Sequence, residues 1–249
     1  MADIKRFGVV GCNIEYSLSP FIHKYFASKA GIEIDYKIIS LNKNKNKNNI
    51  FKNTVRDFFE NKGVGLNITT PFKLEAYQLC DVVSDDAKII QAVNTLWCEN
   101  GKLHGDSTDG YGFITDFHNK FSSLENKNIL IFGAGGASRS ILPNIIYDKP
   151  KNVYIINRDE TKLNKLLEDF RDLSLEYKFN LNNYNNLKNN LKDNLKIDVI
   201  LNAATDKCLL DTSMQLIANN ILKFNKNNNK NILVYDLSYA QLGNINNNK

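Results

Sequence analysis

The 249-residue chain is 43% hydrophobic and 24% charged, proportions of a globular protein that buries a core, and its length suits one large domain or two modest ones. Its 32 basic and 27 acidic residues leave a formal charge of +5, and much of the excess is Lys set among Asn, at Lys43–Asn49 and Lys226–Lys230, which reads as solvated loops rather than a nucleic-acid stripe. Four scattered cysteines (Cys12, Cys80, Cys98, Cys208) with no C-x-x-C pair argue against a zinc site or disulfide framework, and no apolar run approaches the roughly 18–20 residues of a membrane span. The N-terminus lacks the apolar stretch of a signal peptide, so the expected location is the cytoplasm.

Strand and helix signals alternate along the chain. Phe7–Val10 predicts a strand ending at Gly11, and Ser19-Pro20 opens a helix to about Ala30, with Ser19 as cap and Pro in the first turn, where its missing N–H has no partner to lose. Tyr36–Leu41 reads as a strand, Ile50–Asn61 as a helix stopped by Gly63, and Val64–Thr69 as a strand, with a further helix starting at Pro71. Ala92–Cys98 and Lys102–Gly105 form an expected hairpin across Asn100-Gly101, and a helix from about Gly110 to Phe121 closes the first region.

The second region predicts strand Ile129–Phe132, a glycine turn, a helix, strand Val153–Ile156, helix Thr161–Phe170, an Asn-rich stretch, and strands Asp198–Asn202 and Ile232–Tyr235. Such alternation implies α/β architecture with a parallel sheet and right-handed crossovers. The expected division is a substrate-binding and catalytic domain over 1–109, a Rossmann-like doubly wound dinucleotide-binding domain over 110–238, and a short C-terminal segment over 239–249.

The sharpest single motif is Gly133-Ala134-Gly135-Gly136-Ala137, delivered by an apolar strand and followed by a helix. Glycines there permit close approach of a pyrophosphate, whose charge faces the unpaired N–H groups of the helix start. Ser138 stands where the strict pattern has its third glycine, and a turn serving packing alone stays open. Pro143 should bend the following helix or end it early. At the end of the next strand stand Asn157-Arg158, with Lys162 a turn later; two cations favour the 2′-phosphate of NADP, while the adjacent Asp159 leaves NAD open.

Four polar clusters mark the first region: Tyr16-Ser17-Leu18-Ser19-Pro20, Asn67-Ile68-Thr69-Thr70-Pro71-Phe72-Lys73, Ala92-Val93-Asn94-Thr95 and Gly105-Asp106-Ser107-Thr108-Asp109-Gly110. Singly each has an ordinary explanation: Ser19 and Thr70 as caps, Asn94 and Asp109 as turn residues. In this order and spacing, with the glycine turn, the Asn-Arg pair and Asp236-Leu-Ser-Tyr239, they resemble the shikimate dehydrogenase family.

The resemblance implies reversible NADPH-linked reduction of 3-dehydroshikimate to shikimate, a step toward chorismate and the aromatic amino acids. By position, Lys73 and Asp109 are similar to the family's catalytic pair. Ser17 and Ser19 match carboxylate ligands helped by Tyr239, and Asn67, Thr69 and Asn94 match residues that bind ring hydroxyls. Asp85 and Leu237 fall where the family lines the nicotinamide, beside the cofactor-binding Gly133, Ala134, Gly135, Gly136, Ala137, Asn157, Arg158 and Lys162. No metal is implied, and a homodimer is one assembly it allows.

Two departures stand out. Asn13 replaces a proline usual in the first turn, and after Tyr239 the chain runs Ala-Gln-Leu-Gly-Asn to Lys249 where family members continue with a Gly-rich loop and helices. Without that segment the expectation is an exposed apolar surface on the first domain, weak shikimate affinity and retained dinucleotide binding. The competing readings are a quinate/shikimate dehydrogenase using NAD, a ligand-binding remnant with little turnover and, more remotely, a folate-linked dehydrogenase.

Overall fold

The computed structural model describes residues 4–42, 49–177, 180–183, 196–204 and 231–237; most of the first Asn/Lys tract, all of the second, Cys208, Tyr239 and the end of the chain lie outside them. The chain divides into two compact units between Asp109 and Gly110. Among the described residues no helix is long and apolar enough to cross a membrane.

The first unit runs β1 (Lys5–Cys12), α1 (Ser19–Lys29), β2 (Ile34–Leu41), α2 (Ile50–Glu60), β3 (Gly63–Ile68), α3 (Lys73–Leu79), β4 (Val82–Val83), α4 (Asp85–Ile90), β5 (Thr95–Glu99) and β6 (Lys102–Asp106). Its six strands lie in the order β2-β1-β3-β5-β6-β4. The sheet is mixed rather than parallel: β1 is parallel to β2 and β3, and β4 to β6, but β5 is antiparallel to both its neighbours. The cause is the hairpin, where Asn100 and Gly101 take positive φ of 51° and 75°, the backbone twist that a tight two-residue turn requires. Phe51 stacks on Phe72, centroids 4.8 Å apart, in a core shared with Val10, Val55, Leu66, Ile68 and Leu96.

Running β5 backwards has a positional effect. Asn67 near the end of β3 pairs with Thr95 at the start of β5, and Thr95 pairs with Asp106 at the end of β6. The closing ends of β1, β3 and β6 and the opening of β5 therefore share one edge of the sheet, and all four polar clusters of the sequence sit there.

Several local expectations change. Ser19 does not cap α1; it is the first helical residue, and the N-cap Leu18 supplies no side-chain bond. Thr70 and Pro71 do not open α3, which starts at Lys73 after a cis Thr70-Pro71 bond. The left-handed Lys62 (φ 62°) ends the second helix, so Gly63 is free to begin β3. The strand drawn from Ala92 begins only at Thr95, and β4 and α4 arise in a stretch without a strong period.

The second unit runs α5 (Asp109–Lys120, its first residue at the boundary), β7 (Asn128–Phe132), α6 (Gly136–Tyr147), β8 (Asn152–Ile156), α7 (Glu160–Asp169), α8 (Arg171–Glu176), β9 (Asn180–Asn183), β10 (Val199–Asn202) and β11 (Leu233–Asp236). The described strands are all parallel, in the order β11-β10-β7-β8-β9. Strand order thus reverses between β7 and β10, the switch point at which open α/β sheets bind ligands. Pro143 does not end α6, which continues to Tyr147.

Buried Ile129, Leu130, Ile131, Val153, Ile155, Val199 and Leu201 make the central strands apolar on both faces, as a covered parallel sheet demands. The edge strand β9 is built of Asn180-Leu181-Asn182-Asn183 and carries no β-forming pattern. An amide ladder ties it in: Asn180 Nδ2 donates to Asn152 Oδ1 at 3.0 Å, and Asn152 Nδ2 to Asn128 Oδ1 at 2.7 Å.

Candidate active site

Lys73 is the first residue of α3, and its ammonium pairs with Oδ2 of Asp109. The two side chains keep 17% and 32% of their exposure, so the pair is partly desolvated yet open on one side. Asn94, 8% exposed, completes the arrangement. Its Nδ2 donates to Asp109 Oδ1 at 2.7 Å and to Thr108 Oγ1 at 3.1 Å, while its Oδ1 accepts from Thr95 Oγ1 at 2.8 Å and from the Thr108 N–H at 3.1 Å. Because a carboxylate only accepts, this set fixes which way the amide points. The Asn94 backbone is pinned as well: its carbonyl takes the Ile68 N–H at 2.7 Å and its N–H reaches Asp106 O at 2.9 Å.

Ser17, Ser19, Asn67 and Thr69, also predicted to bind substrate, lie at the same sheet edge. Ser17 Oγ donates to Ser19 Oγ at 3.1 Å, and the Ser19 N–H returns to Ser17 Oγ at 3.3 Å, which holds two hydroxyls side by side at the start of α1. Thr69 lies over Gly11; a Cβ on that glycine would come within 2.4 Å of the Thr69 methyl. Asn67 Oδ1 accepts from the Tyr36 hydroxyl at 2.6 Å. The sequence marks Tyr36 only as a strand residue, because its partner lies two strands away in the sheet and no local signal points to it. Asp85 stands apart: it is exposed at the start of α4 and pairs with Lys88 at 2.7 Å. Tyr239 lies outside the described residues.

In the second unit the glycine turn sits at the closing end of β7, at the switch point. Gly133 has φ 101°, and a Cβ there would meet the Ala203 backbone at 3.1 Å, so both conformation and packing require glycine. Gly135 and Gly136 instead face open space. Gly135 is the N-cap of α6 and offers no side-chain bond, and the first turn holds no acidic residue, which leaves the helix's N–H groups for an anion. Ser138 replaces the third glycine without loss, since its buried hydroxyl bonds Gly133 O at 2.7 Å.

Asn157 Oδ1 accepts the Ala134 N–H at 3.2 Å and so braces the turn. Asp159 caps α7 by accepting the Lys162 N–H at 3.1 Å, and Lys162 Nζ lies 3.6 Å from it. That backbone bond, opposed by slight burial and helped by the Lys162 charge, holds the Asp159 carboxyl below its ordinary pKa. Asp159 is thus engaged as a cap and stays ionised, and Arg158 beside it is exposed. Ala137 is exposed in the first turn of α6, and the Leu237 N–H donates to Asn202 O at 2.9 Å just beyond β11.

A parallel sheet of this order with an uncapped helix at its switch point, on a chain whose other unit groups a lysine–carboxylate pair with hydroxyls and amides, defines a dinucleotide-dependent dehydrogenase of small polar molecules. Comparison with known proteins narrows this. The shikimate dehydrogenase substrate binding domain matches residues 9–96, and the shikimate/quinate 5-dehydrogenase domain matches residues 117–240. A shikimate dehydrogenase (NADP(+)) of Acinetobacter baumannii is 37% identical over 212 residues, 85% of this chain and 76% of that protein. One from Acinetobacter baylyi is 40% identical over 167 residues, 66% of this chain and 61% of that protein. The crystal structure of shikimate dehydrogenase from Aquifex aeolicus aligns with a TM-score of 0.72 at 28% identity, over 95% of this chain and 87% of that one. The chain belongs to the shikimate dehydrogenase family.

Proposed function

We propose that the protein catalyses the reversible NADPH-dependent reduction of 3-dehydroshikimate to shikimate, with Lys73 and Asp109 as the catalytic pair. The observation that carries this reading is the Lys73–Asp109–Asn94 arrangement at the sheet edge that also holds Ser17, Ser19, Asn67 and Thr69. NADPH, when bound, supplies the hydride. As negative charge grows on the substrate oxygen, the Lys73 ammonium stabilises it and delivers a proton. Asp109 aims that ammonium and accepts from a neighbouring ring hydroxyl, while Asn94 keeps the carboxylate from rotating. Ser17 and Ser19 bind the substrate carboxylate with neutral donors, assisted by Tyr239, and Asn67 and Thr69 take ring hydroxyls.

The cofactor residues fit NADP. The open, uncapped start of α6 at Gly135, Gly136 and Ala137 suits a diphosphate, with Gly133, Ala134 and Asn157 shaping the turn. Exposed Arg158, with Lys162, suits a 2′-phosphate, while the ionised Asp159 beside them is engaged as the cap of α7. Asp85 and Leu237 are assigned to the nicotinamide side on family resemblance.

The test is oxidation of shikimate followed at the absorbance of reduced nicotinamide, with NADP and NAD compared. Turnover with NADP well above NAD supports the reading. Turnover of quinate with NAD in preference would replace it, and dinucleotide binding without turnover of either acid would end it.

A further inference from the structure

Tyr36 is buried to 4% exposure on β2, an edge strand of the first sheet. It pairs in register with Phe7 of β1, while Asn67 of β3 pairs with Val9. Its side chain therefore passes over β1 to reach the second strand beyond, and its hydroxyl donates to Asn67 Oδ1 at 2.6 Å. Next-nearest strands lie about 9.6 Å apart, a gap that tyrosine with asparagine closes and that a serine or threonine does not. Ser19 opens α1, the helix that packs on β2. His23, one turn into α1, stacks on the ring with centroids 4.5 Å apart and bonds the Ser19 carbonyl at 2.9 Å.

We propose that Tyr36 is a positioning residue for the substrate site: its hydroxyl holds the ring-binding amide of Asn67 and fixes the direction in which that amide points. A phenol that gives its proton to Asn67 Oδ1 leaves the two hydrogens of Nδ2 free to meet a ligand oxygen. Tyr36 thus makes Asn67 a donor toward substrate. Burial pushes the phenol well above its ordinary pKa, against the opposing effect of Ser19, so it stays protonated and keeps this direction at neutral and mildly alkaline pH.

The inference rests on the substrate reading given above. Tyr36→Phe keeps the ring and its stack on His23 and removes only the hydroxyl. The expected result is a KM for shikimate raised about tenfold, kcat within about threefold of the parent and an unchanged Kd for NADP, the size of effect one lost hydrogen bond produces. If Tyr36 acts through Asn67, the double variant Tyr36→Phe/Asn67→Ala binds shikimate no more weakly than Asn67→Ala alone. Independent losses in that cycle, or a parent-like KM for Tyr36→Phe, would overturn the proposal while leaving the substrate reading intact. The side-chain amide resonances of Asn67 separate the two without turnover: they shift in Tyr36→Phe if the phenol orients the amide, whatever ring acid proves to be the substrate. Unchanged resonances would overturn it.

Discussion

Asn94 Nδ2 donates to Oδ1 of Asp109 at 2.7 Å, the carboxylate oxygen opposite the one that pairs with Lys73. One side chain is therefore held from two sides, by a charge and by an amide whose own orientation is fixed by Thr95 and Thr108. Lys73→Ala is expected to lower kcat by about 10²–10⁴-fold, the usual contribution of a positioned acid–base group, with NADP affinity retained. Asn94→Ala should cost less, about 10–100-fold, because the pair survives but rotates. Steady-state kinetics with NADP and shikimate, beside a cofactor titration, read both; a Lys73→Ala enzyme within a few-fold of the parent refutes the assignment.

Arg158 tests the cofactor reading. Its guanidinium is exposed beside an Asp159 already committed to a helix cap, so Arg158→Ala should weaken NADP about 10–100-fold and leave NAD nearly unchanged. Equal losses for both dinucleotides, measured by fluorescence titration, would show that Arg158 acts on the fold.

Gly133 is demanded twice, by φ 101° and by the Ala203 backbone 3.1 Å from where a Cβ would sit. Gly133→Ala should destabilise the protein by about 1–3 kcal/mol and weaken NADP. Gly135→Ala, with open space around it, should leave stability almost unaltered. A denaturant melt of the two variants separates them, and equal stabilities would contradict the geometry.

Asp198 gives a pH dependence. Burial alone would raise its pKa, but the Asn128 N–H at 3.0 Å and Lys196 Nζ at 3.1 Å outweigh it, and the carboxyl sits below its ordinary value. A depressed native pKa contributes stability above the unfolded value of about 3.9, and that contribution is lost as pH falls through the native value. Asp198→Asn should therefore be less stable than the parent at pH 7, with the gap closing below about pH 4. A constant gap across that range in urea titrations would contradict the shift.

Cys80 should be chemically quiet. Burial, then the negative charge of Asp81, pushes its thiol up to about 12. Since the thiolate is the nucleophile, only about one thiol in ten thousand is reactive at pH 8. Iodoacetamide followed by peptide mass mapping should leave Cys80 unmodified in the folded protein and label it in urea.

Local signals carried much of this molecule in the sequence. The glycine turn was legible because an apolar strand, residues free to take unusual φ and a helix start stand within about a dozen positions, and backbone preference acts over that range. The Asn100-Gly101 turn was legible for the same reason. The order of the polar clusters from Ser17 to Asp109 pointed to their grouping through resemblance alone. What only the tertiary structure decided is which groups meet. The Tyr36–Asn67 bond joins residues 31 apart, and Asn94 meets an Asp109 15 residues on. The first depends on strand order and the second on the reversal of β5, which no short window encodes. The asparagine strand β9 has no pattern of its own and exists because β8 offers it a backbone edge and an amide partner. Ser19 is the first residue of α1 rather than its cap, and its hydroxyl is taken up by Ser17, a local side-chain bond of the kind that competes with a helix cap.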